Sequence, residues 1–254
     1  MTASMREGAH SISIIIPAYN EAARLPRSLG PLDAFLRGLD RPVEVIVVVN
    51  GSTDNTADVV ESFREGMPYL RALTIPGRGK GLAVRTGMLA ARHEQLLLCD
   101  ADFSMPPEDL RLFIDALDTA VPIVIGSREG PNARRSNEPW LTHVRGRIFN
   151  TLVRLLAVGG LQDTQCGFKG FQRDVARRLF SRARIDGWAF DVEVLFLARK
   201  LGYPIREIGI RWNFDPDTRV RAGSATASMV SEVLRVRLND LRGRYRGTQG
   251  IVKK

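Results

Sequence analysis

Through the first half of the chain, short runs of aliphatic and β-branched residues alternate with longer segments of helical periodicity. Runs at 12–16, 43–49, 71–75, 95–99 and 121–125 predict strands. Segments opening near Glu21 and Asp54, and those at 80–92 and 107–117, predict helices. Strands alternating with helical segments form a parallel sheet joined by crossover helices. The stretch Val-Ile-Val-Val-Val at 45–49 shows no polar alternation, as expected of a strand covered on both faces. The fold class is therefore α/β, a mostly parallel sheet flanked by helices. Ligands on such sheets gather at the carboxyl ends of the strands. Pro17-Ala18-Tyr19-Asn20-Glu21, Asn50-Gly51-Ser52-Thr53-Asp54 and Asp100-Ala101-Asp102 each follow a strand, so the three are expected to converge.

Two later stretches carry apolar residues along one helical face beside arginines. At 145–156 these are Ile148, Phe149, Leu152, Val153 and Leu156 beside Arg147 and Arg154; at 224–241 they are Val230, Val233, Leu234, Leu238 and Leu241 beside Arg235, Arg237 and Arg242. Basic amphipathic helices can lie in an anionic membrane interface. The same pattern also serves packing on a sheet or against a second subunit. No internal repeat or long linker interrupts the chain. We divide it into an N-terminal tail at 1–10, one α/β domain at 11–222, and a C-terminal amphipathic helix with a basic tail at 223–254.

Charge is distributed unevenly. Residues 1–127 carry 12 basic and 16 acidic side chains and the remainder 25 and 12, a net −4 against +13. The basic half calls for an anionic partner, and nucleic acid, a lipid headgroup or a phosphorylated substrate would each satisfy it. Aromatic residues make up only 7% of the chain and offer no stacking platform, so nucleic acid ranks last. No apolar stretch approaches the ~18 residues of a membrane span, and the first residues lack the apolar core of a signal peptide. A cytoplasmic protein is expected. Cys99 and Cys166, far apart in sequence, read as reduced thiols, and no zinc site is legible.

The strand-end segments carry the candidate chemistry. Asp100 and Asp102 form an all-oxygen pair suited to Mg²⁺ or Mn²⁺. Asn50 to Asp54 is also compatible with a simple turn, Gly51 permitting unusual dihedrals and Asp54 capping the next helix. Pro76-Gly77-Arg78-Gly79-Lys80-Gly81 opens a helix with backbone N–H groups and an ammonium suited to phosphate. It lacks P-loop spacing, and no Gly-x-Gly-x-x-Gly fingerprint follows the first strand. A nucleotidyltransferase would usually show a glycine-rich Arg/Lys motif between Pro17 and Arg27, which is missing.

Ile-Pro-Ala-Tyr-Asn-Glu, Asn-Gly-Ser-Thr-Asp, Gly-Lys-Gly and Asp-Ala-Asp, in this order, resemble an inverting family 2 glycosyltransferase with the nucleotide-diphospho-sugar (GT-A) fold. Gly126-Ser127-Arg128, the segment from Asp163 to Lys169 and the segment from Trp188 to Glu193 resemble the branch that makes dolichyl- or polyprenyl-phosphate sugars. Within it the chain is most like the β-glucosyltransferases, with the mannosyltransferases close behind. The resemblance covers residues 11–222. It implies that Pro17, Tyr19, Asn20, Glu21, Asn50, Gly51, Ser52, Asp54, Lys80, Asp100, Ala101 and Asp102 hold a nucleotide-diphospho-sugar, UDP-glucose or GDP-mannose. It assigns Gln165, Gly167, Trp188 and Asp191 to the donor sugar, and the metal to Asp100 and Asp102. One departure stands out: the family usually has two acidic residues before its Gly-Ser, and here they are Val49 and Asn50. Asn50 would have to replace the lost carboxylate through its amide oxygen.

The chemistry can also be argued from the residues. Displacing a nucleoside diphosphate from an anomeric carbon develops charge on the leaving phosphate, which a metal held by Asp102 with Asp100 nearby would neutralise. A lipid monophosphate, with a second pKa near ~6, is already largely anionic and needs positive charge more than a general base. Arg128, Arg145, Arg147 and Lys169 are the candidates for that phosphate. Asp191, where hydroxyl-glycosylating relatives keep their base, is then expected to bind sugar hydroxyls, to orient Lys169 or an arginine, or to cap a helix. Asp102, Arg128 and Asp191 form the candidate catalytic set. The expected activity is hexose transfer, glucose first, to a polyprenyl phosphate by an enzyme attached peripherally to the inner face of a membrane. The alternatives are mannose transfer and a non-lipid acceptor such as a phosphorylated small acid. A homo-oligomer is compatible with either amphipathic helix.

Overall fold

The structure is a computed structural model that describes residues 10–140, 157–215 and 224–246, together with positions 146, 147, 150, 151 and 153. In chain order the elements are β1 (Ile12–Ala18), α1 (Leu25–Arg37), β2 (Val43–Asn50), α2 (Thr56–Phe63), β3 (Leu70–Ile75), α3 (Lys80–Ala90) and β4 (Gln95–Leu98). A 3₁₀ turn (Pro107–Asp109) then leads into α4 (Leu110–Asp118), followed by β5 (Ile123–Ser127) and β6 (Arg134–Ser136). The remainder comprises β7 (Lys169–Gln172), α5 (Arg173–Phe180), α6 (Phe190–Lys200), β8 (Ile205–Gly209), β9 (Arg211–Asn213) and α7 (Ser224–Leu241).

Seven strands form one sheet in the order β3-β2-β1-β4-β7-β5-β8, and β6 pairs with β9 in a small second sheet. All pairings in the large sheet are parallel except those of β7, which runs antiparallel to both β4 and β5. The apolar run of β2 shows why its strand needs no polar alternation. Val45, Val47 and Val49 face a core with α1 and α4, whereas Ile46 and Val48 face one with α3, α5 and α6. Gly87 lets α3 approach closely, because a Cβ there would run into Ile15 and Val48. Burying about ten such aliphatic side chains in the central strands, at ~1.5–3 kcal/mol each, makes the sheet the rigid part of the molecule.

Two helices start later than their periodicity predicts. Residues 21–24 form a turn, with Arg24 N and Leu25 N both donating to Glu21 O, and α1 follows with Pro26 in its first turn. Asp54 stands outside α2 and accepts from Thr56 N at 3.1 Å, so it closes the turn that admits the helix. The 224–241 pattern also divides on folding. Val233 joins Val236 in the core, while Leu234, Leu238 and Leu241 are exposed, Leu241 by 83%. The predicted single apolar face is therefore two faces. Within 145–156, residue Val153 is buried in the core; Arg145, Ile148, Phe149, Leu152, Arg154 and Leu156 lie outside the described residues. So do the N-terminal tail apart from His10, the boundary near 222 and the last residues of the basic tail. No helix among the described residues is long and apolar enough to cross a membrane.

Candidate active site

The parallel strands bring the expected segments together at one rim. Behind β1, Asn20 adopts a left-handed conformation, φ 54°, and its Oδ1 accepts from Thr53 N at 2.8 Å, while its own N–H donates to Ser52 Oγ at 3.1 Å. Asp54 Oδ2 accepts from Ala22 N at 3.2 Å, and Glu21 N donates to Thr56 Oγ1 at 2.9 Å. Asn20, Ser52, Asp54 and Thr56 thus join the β1 and β2 loops into one rigid wall. Asp54 serves this wall. Its carboxyl lies below the usual range because hydrogen bonds from Thr56 and Ala22 outweigh the effect of burial. Glu21 is also committed, held bidentately by Arg24 Nε at 2.6 Å and Nη2 at 2.5 Å. Gly51, at φ +63°, has the left-handed backbone that favours glycine and lies close against Pro76. The Arg78 guanidinium covers the Tyr19 ring at 5.3 Å, and Pro17, half-buried, continues β1 into this wall.

The α3 N-terminus departs from expectation. Its Gly81 N–H donates to Gly187 O and its Leu82 N–H to Asp186 O, each at 3.1 Å, so these donors serve the chain rather than a phosphate. Gly79 and Gly81 are glycine because the segment 185–187 passes too close for a Cβ. Asn50, buried, donates Nδ2 to Gly79 O at 3.3 Å, which ties β2 to the same segment and leaves its amide oxygen as the acceptor. What this helix offers a ligand is Lys80. Its Nζ lies 2.6 Å from Asp100 Oδ1 and 5.4 and 6.0 Å from the ring centres of Trp188 and Phe190.

Asp100 and Asp102 have unlike surroundings. Burial pushes both carboxyls upward. At Asp100 the charges of Lys80, Lys169 and Arg128 outweigh it and hold the group below its ordinary value. At Asp102 the neighbouring Asp100 adds to burial, and the group stays above its ordinary value. Asp102 Oδ1 accepts from Ser104 N at 3.1 Å, and Oδ2 lies 3.9 Å from Arg24 Nη1. Ala101, between them, is buried and its carbonyl accepts from Ser28 Oγ at 2.7 Å. Gly167 presses its backbone against the Asp100 carboxylate, where a Cβ would collide with both oxygens. An all-oxygen pair whose second member resists ionisation suits a divalent cation, which relieves the repulsion between the carboxylates. Among the described residues no cluster of three His, Cys, Asp or Glu could hold a metal. Substrate oxygens and water would therefore complete the shell.

Lys169 and Asp191 form a buried ion pair, Nζ to Oδ1 at 2.6 Å, with the lysine 1% exposed. Lys169 also donates to Cys166 O. Of the groups expected to meet Asp191, Lys169 is the one it contacts. Burial holds the Asp191 carboxyl above its ordinary value despite the facing ammonium. Gln165 N donates to Asp163 Oδ1 at 3.2 Å, and its Nε2 is buried without a protein partner among the described residues. Cys99 and Cys166 are buried free thiols, Cys166 pushed up to about 12 by burial.

Arg128 is not the free cation the sequence suggests. Its Nε and Nη2 grip Asp163 at 2.7 and 2.9 Å, its backbone N–H donates to the same carboxylate at 3.0 Å, and its guanidinium lies 5.4 Å from the Trp212 ring centre. Although burial pushes the Asp163 carboxyl up, the Arg128 charge and hydrogen bonds hold it at about 2. Arg135 stacks on the same ring at 5.8 Å and pairs with Glu129 and Glu138, and exposed Arg147 pairs with Glu129 at 2.8 Å. Arg145 lies outside the described residues. Arg24, Trp212, Asp163 and Phe190 were given no site role from sequence. Asp163 and Phe190 lie in the segments that carry the family resemblance, and the i,i+3 spacing of Glu21 and Arg24 was a signal for Arg24.

A Rossmann-like sheet with two aspartates and a lysine at its carboxyl rim defines the class: a GT-A fold. Its likeness to solved structures is broad. Mannosyl-3-phosphoglycerate synthase from Rubrobacter xylanophilus matches over 98% of this chain and 79% of that one with a TM-score of 0.69 at 18% identity. Mycobacterium tuberculosis glucosyl-3-phosphoglycerate synthase, in complex with Mn²⁺, UDP-glucose and phosphoglyceric acid, matches over 93% and 84% with a TM-score of 0.66 at 18% identity. The Glycosyl transferase family 2 model matches residues 13–180, and the chain belongs to that family. It is similar to proteins named dolichyl-phosphate β-glucosyltransferase. The one from Dictyostelium discoideum is 36% identical over 91% of this chain and 75% of that protein. The human one is 32% identical over 92% and 77%.

Proposed function

We propose that this protein transfers glucose from UDP-glucose to a dolichyl or polyprenyl monophosphate, with inversion at the anomeric carbon. The observation that carries the reading is the Lys169–Asp191 pair. The carboxylate standing where a general base would be needed is locked in a buried ion pair, which fits an acceptor that arrives ionised. The names of relatives at 32% and 36% identity support the same acceptor and sugar.

The donor diphosphate lies along the rim formed by Lys80, Asp100 and Asp102, with the base between the Tyr19 and Asn50 walls. Asp102, with Asp100 beside it, would hold Mg²⁺ or Mn²⁺, which would supply Lewis-acid stabilisation of the leaving phosphate. Lys80 adds a second positive charge beside Asp100, its direction fixed by that carboxylate and the two rings. Asn50 contributes a neutral amide where an acidic residue usually stands. The acceptor phosphate approaches the Arg128–Arg135–Trp212 cluster. Arg128 keeps its Asp163 fork there and offers its remaining N–H groups to phosphate oxygens. On α7, Leu234, Leu238 and Leu241 with Arg235, and Arg242 just beyond the helix, are exposed and hold the enzyme peripherally at the inner face of an anionic membrane.

The test supplies the protein with Mg²⁺ or Mn²⁺, a panel of labelled UDP- and GDP-sugars, and either polyprenyl phosphate or 3-phosphoglycerate. Label from UDP-glucose is expected in the organic-solvent extract. Label that stays aqueous with 3-phosphoglycerate, or absence of transfer from every donor, would refute the proposal.

A further inference from the structure

Two carboxylates outside the chemistry described above, Glu193 and Glu232, hold the same stretch of chain. The segment from Arg184 to Phe190 crosses the N-terminus of α3 and lays Trp188 and Phe190 beside the Lys80 ammonium. From α6, Glu193 accepts the Arg184 and Ile185 N–H groups, both at 2.8 Å, and the Tyr245 hydroxyl at 2.6 Å. From α7, Glu232 accepts Ala189 N–H at 2.9 Å. It also packs on Gly187 so closely that a Cβ there would overlap its carboxylate. Gly187 in turn takes the Gly81 N–H, one residue from Lys80. A continuous set of contacts therefore runs from the C-terminal helix to the ammonium at the diphosphate rim, and Trp188 stands in its middle. Ala189 is also the residue that caps α6, and its own N–H is taken by Glu232 of α7, 43 residues away.

We propose that Glu232 is a positioning residue of the donor site: through Gly187 and Ala189 it fixes the Trp188 ring against Lys80 and so sets where the ammonium meets the leaving diphosphate. This rests on the function proposed above. Because charge on the leaving group grows on the way from bound donor to transition state, misplacing Lys80 lowers kcat more than it raises KM.

Glu232→Ala is expected to lower kcat about 10-fold with KM for the nucleotide-sugar changed less than ~3-fold and Tm within about 3 °C. Glu232→Gln, which keeps an oxygen for the Ala189 N–H, should recover to within ~3-fold of the original enzyme. Gly187→Ala should reproduce the loss by displacing the carboxylate, yet cost less than ~2-fold when Glu232 is already alanine, since the two changes break one contact. A readout independent of turnover uses the Trp140→Phe, Trp212→Phe background, in which Trp188 is the remaining tryptophan. There Glu232→Ala should red-shift the emission and make it more accessible to acrylamide. Unchanged kcat with unchanged Trp188 emission would overturn the proposal, as would a loss matched by a fall in Tm with the emission unmoved. Failure of the unsubstituted enzyme to transfer glucose would instead count against the proposed function, while the emission still reports the positioning.

Discussion

The two sides of the rim are built differently. On the donor side, polar side chains fix one another across adjacent loops: Asn20 with Ser52 and Thr53, Asp54 with Ala22 and Thr56, Lys80 with Asp100. On the basic side, each described arginine near the site already has an acid: Arg128 has Asp163, Arg135 has Glu129 and Glu138, and Arg211 has Asp109. These three arginines are therefore not free cations despite the net +13 of the second part of the sequence. Each sits in an ion pair that fixes which N–H edges remain for a ligand, and that orientation carries more information than the number of charges.

Breaking the donor side should give the largest effect. Asp102→Asn is expected to reduce transfer ~10³-fold or more through loss of metal-assisted departure, while raising Tm by about 2 °C because a buried carboxyl that resists ionisation becomes neutral. Parallel turnover and calorimetry check both signs.

On the basic side, Asp163→Asn should cost about 3–5 kcal/mol of stability by leaving Arg128 buried without its counter-ion, measured by denaturant unfolding. The pH sign follows from the same pair. The folded Asp163 carboxyl, at about 2, lies below its unfolded value near ~3.9. Its contribution is complete above pH ~4 and is lost as pH falls toward 2, so the Asn variant should show a flatter acid limb.

Asp191→Asn tests the boundary between the two sides. It should destabilise by about 2–4 kcal/mol through the unpaired Lys169, yet leave turnover per folded molecule within ~10-fold. A ~10³-fold loss with folding intact would mean that the carboxylate acts as a base on a hydroxyl acceptor. The smallest effect is expected for Arg147→Ala, whose exposed pair with Glu129 should be worth less than ~1 kcal/mol in unfolding measurements.

Much of the donor side was legible because its contacts join segments directly after strands, and the βα alternation makes those strands parallel with their carboxyl ends on one rim. The aspartate pair, Lys80 and the Asn20 to Asp54 wall all lie where the periodicity puts them. The α3 donors did not follow the reading, since their acceptors are carbonyls at 186 and 187, about a hundred residues away. Sequence separation also hid Asp163, 35 residues on, as the partner of Arg128, and Trp212, farther still, as its platform. Burial of Val233 away from Leu234 and Leu238 was equally hidden, because periodicity marks apolar positions without saying which of two surfaces each one meets.

The reversed strand β7 has a consequence for how the enzyme comes into being. β4 and β5 pair with β7 and not with each other, and β7 arrives only after the chain has travelled from Ser127 to Lys169. Until that insertion, β3-β2-β1-β4 and β5 with β8 are separate sheets, and closing them requires contacts of long sequence separation, which are slow to form. The same strand delivers Gly167 to Asp100 and Lys169 to Asp191. The strand that joins the two parts of the sheet therefore also completes these contacts of the candidate site, and a molecule whose sheet has closed already possesses them.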